Sequence, residues 1–263
     1  LFMRILVIGN GSREHALGWR LSKSSHAPEL FFAPGNFGTA LVGKNVAIGV
    51  SEVEALVAFA VAEKIDLTLV GPEVPLVAGV VDAFRGAGLV IIGPDRAGAQ
   101  LEGSKAFSKE FMVKYGIPTA AYGVYTEVED AKAALRSYAL PVVIKADGLA
   151  AGKGVIIAQS YEEAEQTLGE MMLESRFGDS GHKVVLEEFL KGFEASMICL
   201  MDGETILPLE TAQDYKKIYD GDLGPNTGGM GSYSPSAFVD AALMADIEAR
   251  VLQPTLKGIQ SEG

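Results

Sequence analysis

A single cysteine, Cys199, in 263 residues leaves no partner for a disulfide and no thiolate set for a metal cluster. It stands in an apolar stretch, Ser196-Met197-Ile198-Cys199-Leu200-Met201, and is expected to be a small packing residue rather than a nucleophile. Cations are also scarce: 22 Lys and Arg stand against 34 Asp and Glu, for a net charge of −12. That excludes a broad nucleic-acid footprint, which needs a basic surface. It still permits an anionic small substrate where the few cations are gathered. No apolar run is long enough to cross a bilayer. Met3-Arg4 precedes only a short apolar run and then a glycine loop, unlike a secretory leader. These absences predict a cytoplasmic chain, monomeric by default, with neither membrane nor nucleic acid as partner. Leu1-Phe2, ahead of Met3, is read as a cloning remnant or an upstream start.

What is present is ordinary globular material, 48% hydrophobic and 21% charged, enough for one large or two modest domains. There is no internal repeat, low-complexity tract or coiled-coil pattern. The first hundred residues alternate apolar runs (Ile5–Ile8, Leu30–Ala33, Leu67–Val70, Leu89–Ile92) with helical patterns at about 13–23, 53–64 and 73–87. This order predicts a Rossmann-like parallel sheet over 1–103. The remainder, 104–263, predicts an α+β region. Its strands fall at 141–146, 154–158, 183–190, 195–201 and 204–209, with helices near 161–173 and 238–257. Asp202-Gly203 between two apolar runs signals a hairpin.

Gly9-Asn10-Gly11-Ser12-Arg13-Glu14 follows a strand and opens a helix, so backbone N–H groups and the helix dipole face one spot. A dinucleotide site would want Gly or Ala where Glu14 stands and an acid at the end of the second strand. That strand ends instead in Pro34-Gly35-Asn36. An unliganded tight turn and a phosphate-bearing substrate remain as alternatives, and Arg13 favours the phosphate. Gly71-Pro72-Glu73 ends a neighbouring strand at the same sheet edge, where open α/β sheets bind ligands.

The segment Lys145-Ala146-Asp147-Gly148-Leu149-Ala150-Ala151-Gly152-Lys153-Gly154 is not a Walker A loop, because three residues separate its first two glycines and a strand follows. It is a strand–loop–strand unit with one lysine in the strand and one in the loop. Lys145 has apolar neighbours, so an anion must lie near it, either a protein carboxylate or a ligand phosphate. Lys153 on a glycine hinge either closes over a triphosphate or stays solvated. Ser104 is expected to cap a helix buried through Phe107, Phe111 and Tyr115. Lys105 then opposes the helix dipole, at about 0.3–1 kcal/mol, unless a phosphate also sits there. Glu187 and Glu188 must face opposite sides of a strand. That strand's end, with Phe189 and Glu194, either meets a base and ribose or forms a solvated edge. Thr227-Gly228-Gly229-Met230-Gly231 is expected to be a loop exposing its backbone to a carboxylate or phosphate, or a flexible connector.

Five blocks, in order, resemble the phosphoribosylamine–glycine ligases of the ATP-grasp superfamily: Gly9–Ala16, Val70–Glu73, Gln100–Phe107, Lys145–Val155 and Gly224–Gly231. The resemblance covers the whole chain. It implies an ATP-grasp region, incomplete here, with a small lid at about 122–190. The implied reaction is phosphorylation of glycine by ATP and attack on the glycyl phosphate by 5-phosphoribosylamine, giving glycinamide ribonucleotide, ADP and phosphate. Lys105, Lys145 and Lys153, with Gly148, Gly152 and Gly154, would hold the ATP phosphates. Glu187, Glu188 and Phe189 would meet adenine, and Glu194 the ribose. Asp214, Lys216 and Thr227–Gly231 would contact substrate. Gly9, Asn10, Gly11, Arg13, Pro34, Gly35, Asn36 and Glu73 would lie on the phosphoribosylamine side. Catalysis would centre on Lys145, Lys153, Asp214 and Lys216.

In that family a glutamate and an acid-x-asparagine pair holding Mg²⁺ or Mn²⁺ come later, followed by a C-terminal domain. Here no asparagine follows Asn226, and Asp240, Asp246, Glu248 and Glu262 lack metal-site spacing. The metal ligands are therefore expected outside these residues, and the 263-residue chain alone is expected to be inactive or nearly so. A non-catalytic nucleotide- or phosphosugar-binding module, and an ATP-grasp ligase using another amine, are the competing readings.

Overall fold

The computed structural model describes residues 3–149, 154–173, 182–221 and 223–263. The chain divides into two compact units, Leu1–Gly103 and Ser104–Gly263. No helix among the described residues is long and apolar enough to cross a membrane.

The first unit is built on five parallel strands: β1 (Arg4–Gly9), β2 (Glu29–Pro34), β3 (Lys44–Asn45), β4 (Leu67–Val70) and β5 (Ile91–Ile92). Their order is β3-β2-β1-β4-β5. Helices α1 (Ser12–Ser22), α2 (Val53–Ala62), α3 (Glu73–Ala78), α4 (Val80–Gly86) and α5 (Gln100–Gly103) connect or follow them. Strand β1 is buried on both faces, which is why it is a continuous apolar run rather than an alternating one. Leu6, Ile8, Phe31 and Ala33 pack into a cluster with Leu56, Ala60 and Phe84. Ile5, Val7, Leu30 and Phe32 form a second cluster. In α1, Gly18 lets the helix close on Phe32: a β-carbon there would lie 2.3 Å from the ring. The single helix expected up to about residue 87 is two, because Gly79 takes a left-handed conformation (φ +88°) and ends α3. Strand β5 is only two residues long, shorter than expected, and Val90 ahead of it is exposed.

In the second unit, β6 (Tyr122–Tyr125), β7 (Val142–Ala146), β8 (Val155–Ala158) and β9 (Val184–Glu188) form an antiparallel sheet in the order β6-β9-β7-β8. Helix α6 (Lys105–Lys114) precedes the sheet, and α7 (Val128–Ala134) and α8 (Tyr161–Met172) are interleaved with it. Alternation divides the sheet cleanly. Val142, Ile144, Ala146, Val184 and Leu186 bury themselves with Leu135, Leu168 and Met171. Lys145 and Glu187 therefore share the opposite face. Lys145 pairs with Val185, and Glu187 stands opposite both Val143 and Tyr122.

The chain continues through β10 (Cys199–Met201), β11 (Ile206–Pro208), β12 (Gln213–Tyr219) and β13 (Leu223–Tyr233) to α9 (Ala241–Ile247) and α10 (Gln253–Glu262). The segment Thr227–Gly231, expected to be a loop, lies within β13; Gly231 pairs with Tyr215 of β12, and a register shift separates that pair from Asn226 opposite Lys217. The expected final helix is two helices joined by a π-turn at Glu248–Leu252. Gly258 of α10 seats on Phe111 of α6. Phe107, expected on the buried face of α6, is exposed, whereas Ala106, Lys109 and Phe111 are buried.

The hairpin signal at Asp202-Gly203 is borne out: β10 and β11 pair antiparallel around a four-residue turn. Asp202 accepts the backbone N–H of Thr205 (2.7 Å) and of Glu204 (3.0 Å). Those two bonds, Thr205's first, hold its carboxyl below the ordinary aspartate value of 3.8. A depressed folded-state pKa stabilises above the unfolded value and loses that contribution as pH falls through the folded one. NMR titration of the Asp202 carboxyl should give a midpoint below 3.8; one at or above it would refute the turn geometry.

Candidate functional site

In the first unit the carboxyl ends of β1, β2 and β4 meet side by side. Gly35 donates to the Gly9 carbonyl (3.1 Å) and Gly71 to that of Ile8 (2.9 Å). Asn36 Nδ2 donates to the Asn10 and Gly11 carbonyls at 2.9 and 3.1 Å, tying the β2 loop to the β1 loop. Arg13 Nη1 donates to the Gly71 carbonyl at 2.5 Å. Pro34 lies level with Gly9 in the sheet register. Glu73 opens α3 beside the same edge. The predicted group Gly9, Asn10, Gly11, Arg13, Pro34, Gly35, Asn36 and Glu73 is thus one neighbourhood at a topological switch point, where strand order reverses about β1.

The loop already holds an anion of its own. Glu14 is buried, and its Oε2 accepts the Gly11 N–H at 2.5 Å. The carboxylate fills the space a dinucleotide fingerprint leaves to a small residue. A β-carbon at Gly9 would lie 2.6 Å from Glu14 Cδ, and one at Gly71 would lie 1.8 Å from Glu14 Oε1. The Gly11 donor, left open in the sequence between a tight turn and a ligand phosphate, is occupied from within. Neither Glu14's inward turn nor its packing against Gly9, Gly11 and Gly71 is visible in the spacing.

In the second unit, the root of the other glycine loop is fastened to the start of α6. Ser104 caps the helix as expected, accepting the Phe107 N–H at 3.1 Å. Asp147 accepts from the Ala106 N–H and the Ser104 hydroxyl, each at 3.1 Å. Lys183 Nζ stands 3.5 Å from it. This carboxylate complements the helix dipole that Lys105 opposes. Lys105 Nζ reaches the Gly148 carbonyl at 2.8 Å. Lys105 is thereby tied to the strand-to-loop segment Lys145–Gly148, whereas the Lys145 ammonium is directed at Glu187. Gly154 closes the loop's far side by accepting the Ala146 N–H at 2.8 Å. Gly152 and Lys153 lie outside the described residues.

Lys145 has its anion in the protein. Its Nζ lies 2.8 Å from Glu187 Oε1, off the direction of an aligned hydrogen bond. Glu187 Oε2 lies 3.0 Å from Lys109 Nζ. Glu187, expected at the base-binding strand end, is 4% exposed and forms the centre of a charge cluster. Glu188 faces the other way, is exposed and accepts the Ala121 N–H at 2.9 Å. Phe189 beside it is exposed. Lys109 is the participant that sequence reasoning missed. It falls in no motif, and only its burial identifies it.

Glu194, Asp214 and Lys216 form a further cluster. Lys216 Nζ lies 3.2 Å from Glu194 Oε2 and 3.5 Å from Asp214 Oδ2. Burial pulls the Lys216 ammonium down, but the Glu194 hydrogen bond and the charges of Glu194 and Asp214 outweigh it and raise its pKa. Thr227 Oγ1 donates to the Lys216 carbonyl (2.9 Å) and accepts the Gly229 N–H (3.1 Å). Gly228, Gly229, Met230 and Gly231 lie exposed on β13, and a β-carbon at any of the three glycines would meet nothing. Cys199 is half-buried, and burial pushes its thiol up, away from nucleophilic chemistry. Among the described residues no group of three or more His, Cys, Asp or Glu is disposed to hold a metal ion.

Comparison with known proteins accounts for these two units. The description "Phosphoribosylglycinamide synthetase, N domain" matches residues 3–102, and "Phosphoribosylglycinamide synthetase, ATP-grasp (A) domain" matches 103–263. The chain is 56% identical to the phosphoribosylamine–glycine ligases of Salmonella typhimurium and Escherichia coli K12, over 99% of this chain and 61% of each of theirs. The solved phosphoribosylamine–glycine ligase of Thermotoga maritima superposes with a TM-score of 0.84 at 34% identity, over 99% of this chain and 62% of that one. The biotin carboxylase domain of Hydrogenobacter thermophilus 2-oxoglutarate carboxylase, at TM-score 0.71 and 18% identity over 99% of this chain and 58% of that one, shares the fold alone. The chain thus spans about three-fifths of the curated relatives it matches. It belongs to the phosphoribosylglycinamide synthetase family.

Proposed function

We propose that this chain carries the nucleotide-binding part of an ATP-dependent ligase that joins glycine to 5-phosphoribosylamine. ATP phosphorylates the glycine carboxylate, the amine displaces phosphate from the glycyl phosphate, and glycinamide ribonucleotide, ADP and phosphate are the products. The observation that carries this reading is the hold of Lys105 Nζ on the Gly148 carbonyl, at the root of a glycine loop whose preceding strand, β7, carries Lys145. Lys105, Lys145 and Lys153, with Gly148, Gly152 and Gly154, hold the triphosphate. The strand end at Glu188 and Phe189 receives the base, with Glu194 at the ribose. Asp214, Lys216 and Thr227–Gly231 meet the substrates, and the Gly9–Gly11 neighbourhood takes the phosphoribosylamine. In the first unit, Arg13 and the N–H groups of the opening α1 turn are the cationic and dipolar elements that suit a phosphate.

Lys145 supplies positive charge where the transferred phosphoryl group develops negative charge. A cytoplasmic location goes with this reading. ATP-dependent ligases of this family take the nucleotide with a divalent cation. The described residues offer no donor set that fits one, so no step here is assigned to an ion. The protein expressed from its complete reading frame should release ADP only when ATP, glycine and 5-phosphoribosylamine are all present. Lys145→Ala should lower kcat/KM about a hundredfold. Equal turnover with bicarbonate in place of glycine, the acceptor of a carboxylase, would sink the assignment.

A further inference from the structure

Lys109 belongs to no motif, yet α6 turns it inward until it is 6% exposed. Its Nζ lies 3.0 Å from Glu187 Oε2 and 2.7 Å from Thr119 Oγ1, and it sits over the Tyr122 ring at 5.5 Å from the centroid. The other oxygen of the same carboxylate lies 2.8 Å from Lys145 Nζ. One carboxylate therefore serves two ammonium groups, and the cluster carries one more positive charge than it neutralises. Only one of the two cations is open to solvent: the Lys145 side chain is 27% exposed against 8% for Lys109. An incoming anion meets the surplus charge at Lys145.

We propose that Lys109 is a positioning residue for nucleotide binding, a role that rests on the nucleotide reading above. By engaging Oε2 while held on Thr119, it half-neutralises Glu187 and keeps the carboxylate from becoming the private partner of Lys145. The Lys145 ammonium then keeps a hydrogen-bond direction and uncompensated charge for a phosphate oxygen. This also explains why Lys145 sits beside Oε1 without aligning on it. Without Lys109, Glu187 would turn both its charge and its lone pairs to Lys145, which is then lost to the ligand.

The test is calorimetric titration of the protein expressed from its complete reading frame with Mg²⁺-ATP and, separately, with adenosine, which lacks phosphates. Lys109→Met should weaken ATP about tenfold, the size of one charge-assisted contact, and leave adenosine unchanged. In a Glu187→Gln background the same substitution should have no effect on ATP affinity, because the charge it manages is gone. That paired comparison keeps the test valid should Lys109→Met alone fail to fold. Unchanged ATP affinity in Lys109→Met, equal loss of ATP and adenosine, or a tenfold loss persisting in the Glu187→Gln background would each overturn the role. Failure of the unsubstituted chain to bind ATP would instead overturn the nucleotide reading beneath it.

Discussion

A Glu187→Ala chain should lose about 3–5 kcal/mol of stability, because the substitution leaves the buried ammonium of Lys109 facing that of Lys145 with no carboxylate between them. Each lysine–carboxylate contact of roughly 3 Å contributes about 5 kcal/mol at an effective dielectric constant near 20, before desolvation is subtracted. Desolvation consumes most of that gain, so the intact cluster adds little to stability while its disruption costs much. The exposed ion pairs behave differently. Lys132 with Glu129, and Arg250 with Asp246, are worth only about 0.2–1 kcal/mol each. Thermal unfolding checks the contrast: Glu187→Ala should lower the melting temperature by about 10 °C, and Glu129→Ala by a degree or so. A Glu187→Ala protein melting within about 2 °C of the parent would show that the two lysines do not depend on this carboxylate.

Gly71→Ala should be the most damaging single-methyl change in the first unit. Its β-carbon would lie 1.8 Å from Glu14 Oε1 and 2.4 Å from Cδ, well inside van der Waals contact. Glu14 is buried between three glycines, so its side chain cannot yield without leaving the site. Two costs then add. Overpacking contributes about 1–3 kcal/mol, and the loss of the carboxylate on the Gly11 N–H contributes about 1 kcal/mol. Denaturant unfolding should show a loss of about 2–4 kcal/mol. A Glu14→Ala change in the same chain should restore part of it by removing the atoms that clash. Full additivity of the two substitutions would mean that they do not touch, contrary to the geometry.

The parallel sheet was legible because burial on both faces writes itself as uninterrupted apolar runs, and β1 and β2 each follow one. The lysine in β7 was legible as a problem, since an ammonium among Val143, Ile144 and Ala146 demands an anion. Which anion was not legible. The pairing places Glu187 diagonally across from Lys145 on the same face, and register between strands forty residues apart is invisible to local pattern. The Thr227–Gly231 segment misled for the complementary reason. Its composition is that of a loop, and only the partner strand β12 makes it a strand. The apolar stripe Phe107–Phe111–Tyr115 likewise suggested one buried face of α6. The helix is in fact enclosed from two sides, by Gly258 of α10 against Phe111 and by Glu187 of β9 against Lys109.

By itself, the sequence determined the family, the division into a parallel α/β unit and an antiparallel α+β unit, and the presence of a glycine loop with one lysine in the strand before it and one within it. Motif and periodicity are local properties, and they survive without coordinates. Tertiary structure alone decided the allocation of charge: Glu14 turned into its own loop, and Glu187 became shared between Lys145 and Lys109. A carboxylate takes whichever donors folding brings within about 3 Å, and that depends on strand register and helix packing, which no short stretch of residues encodes.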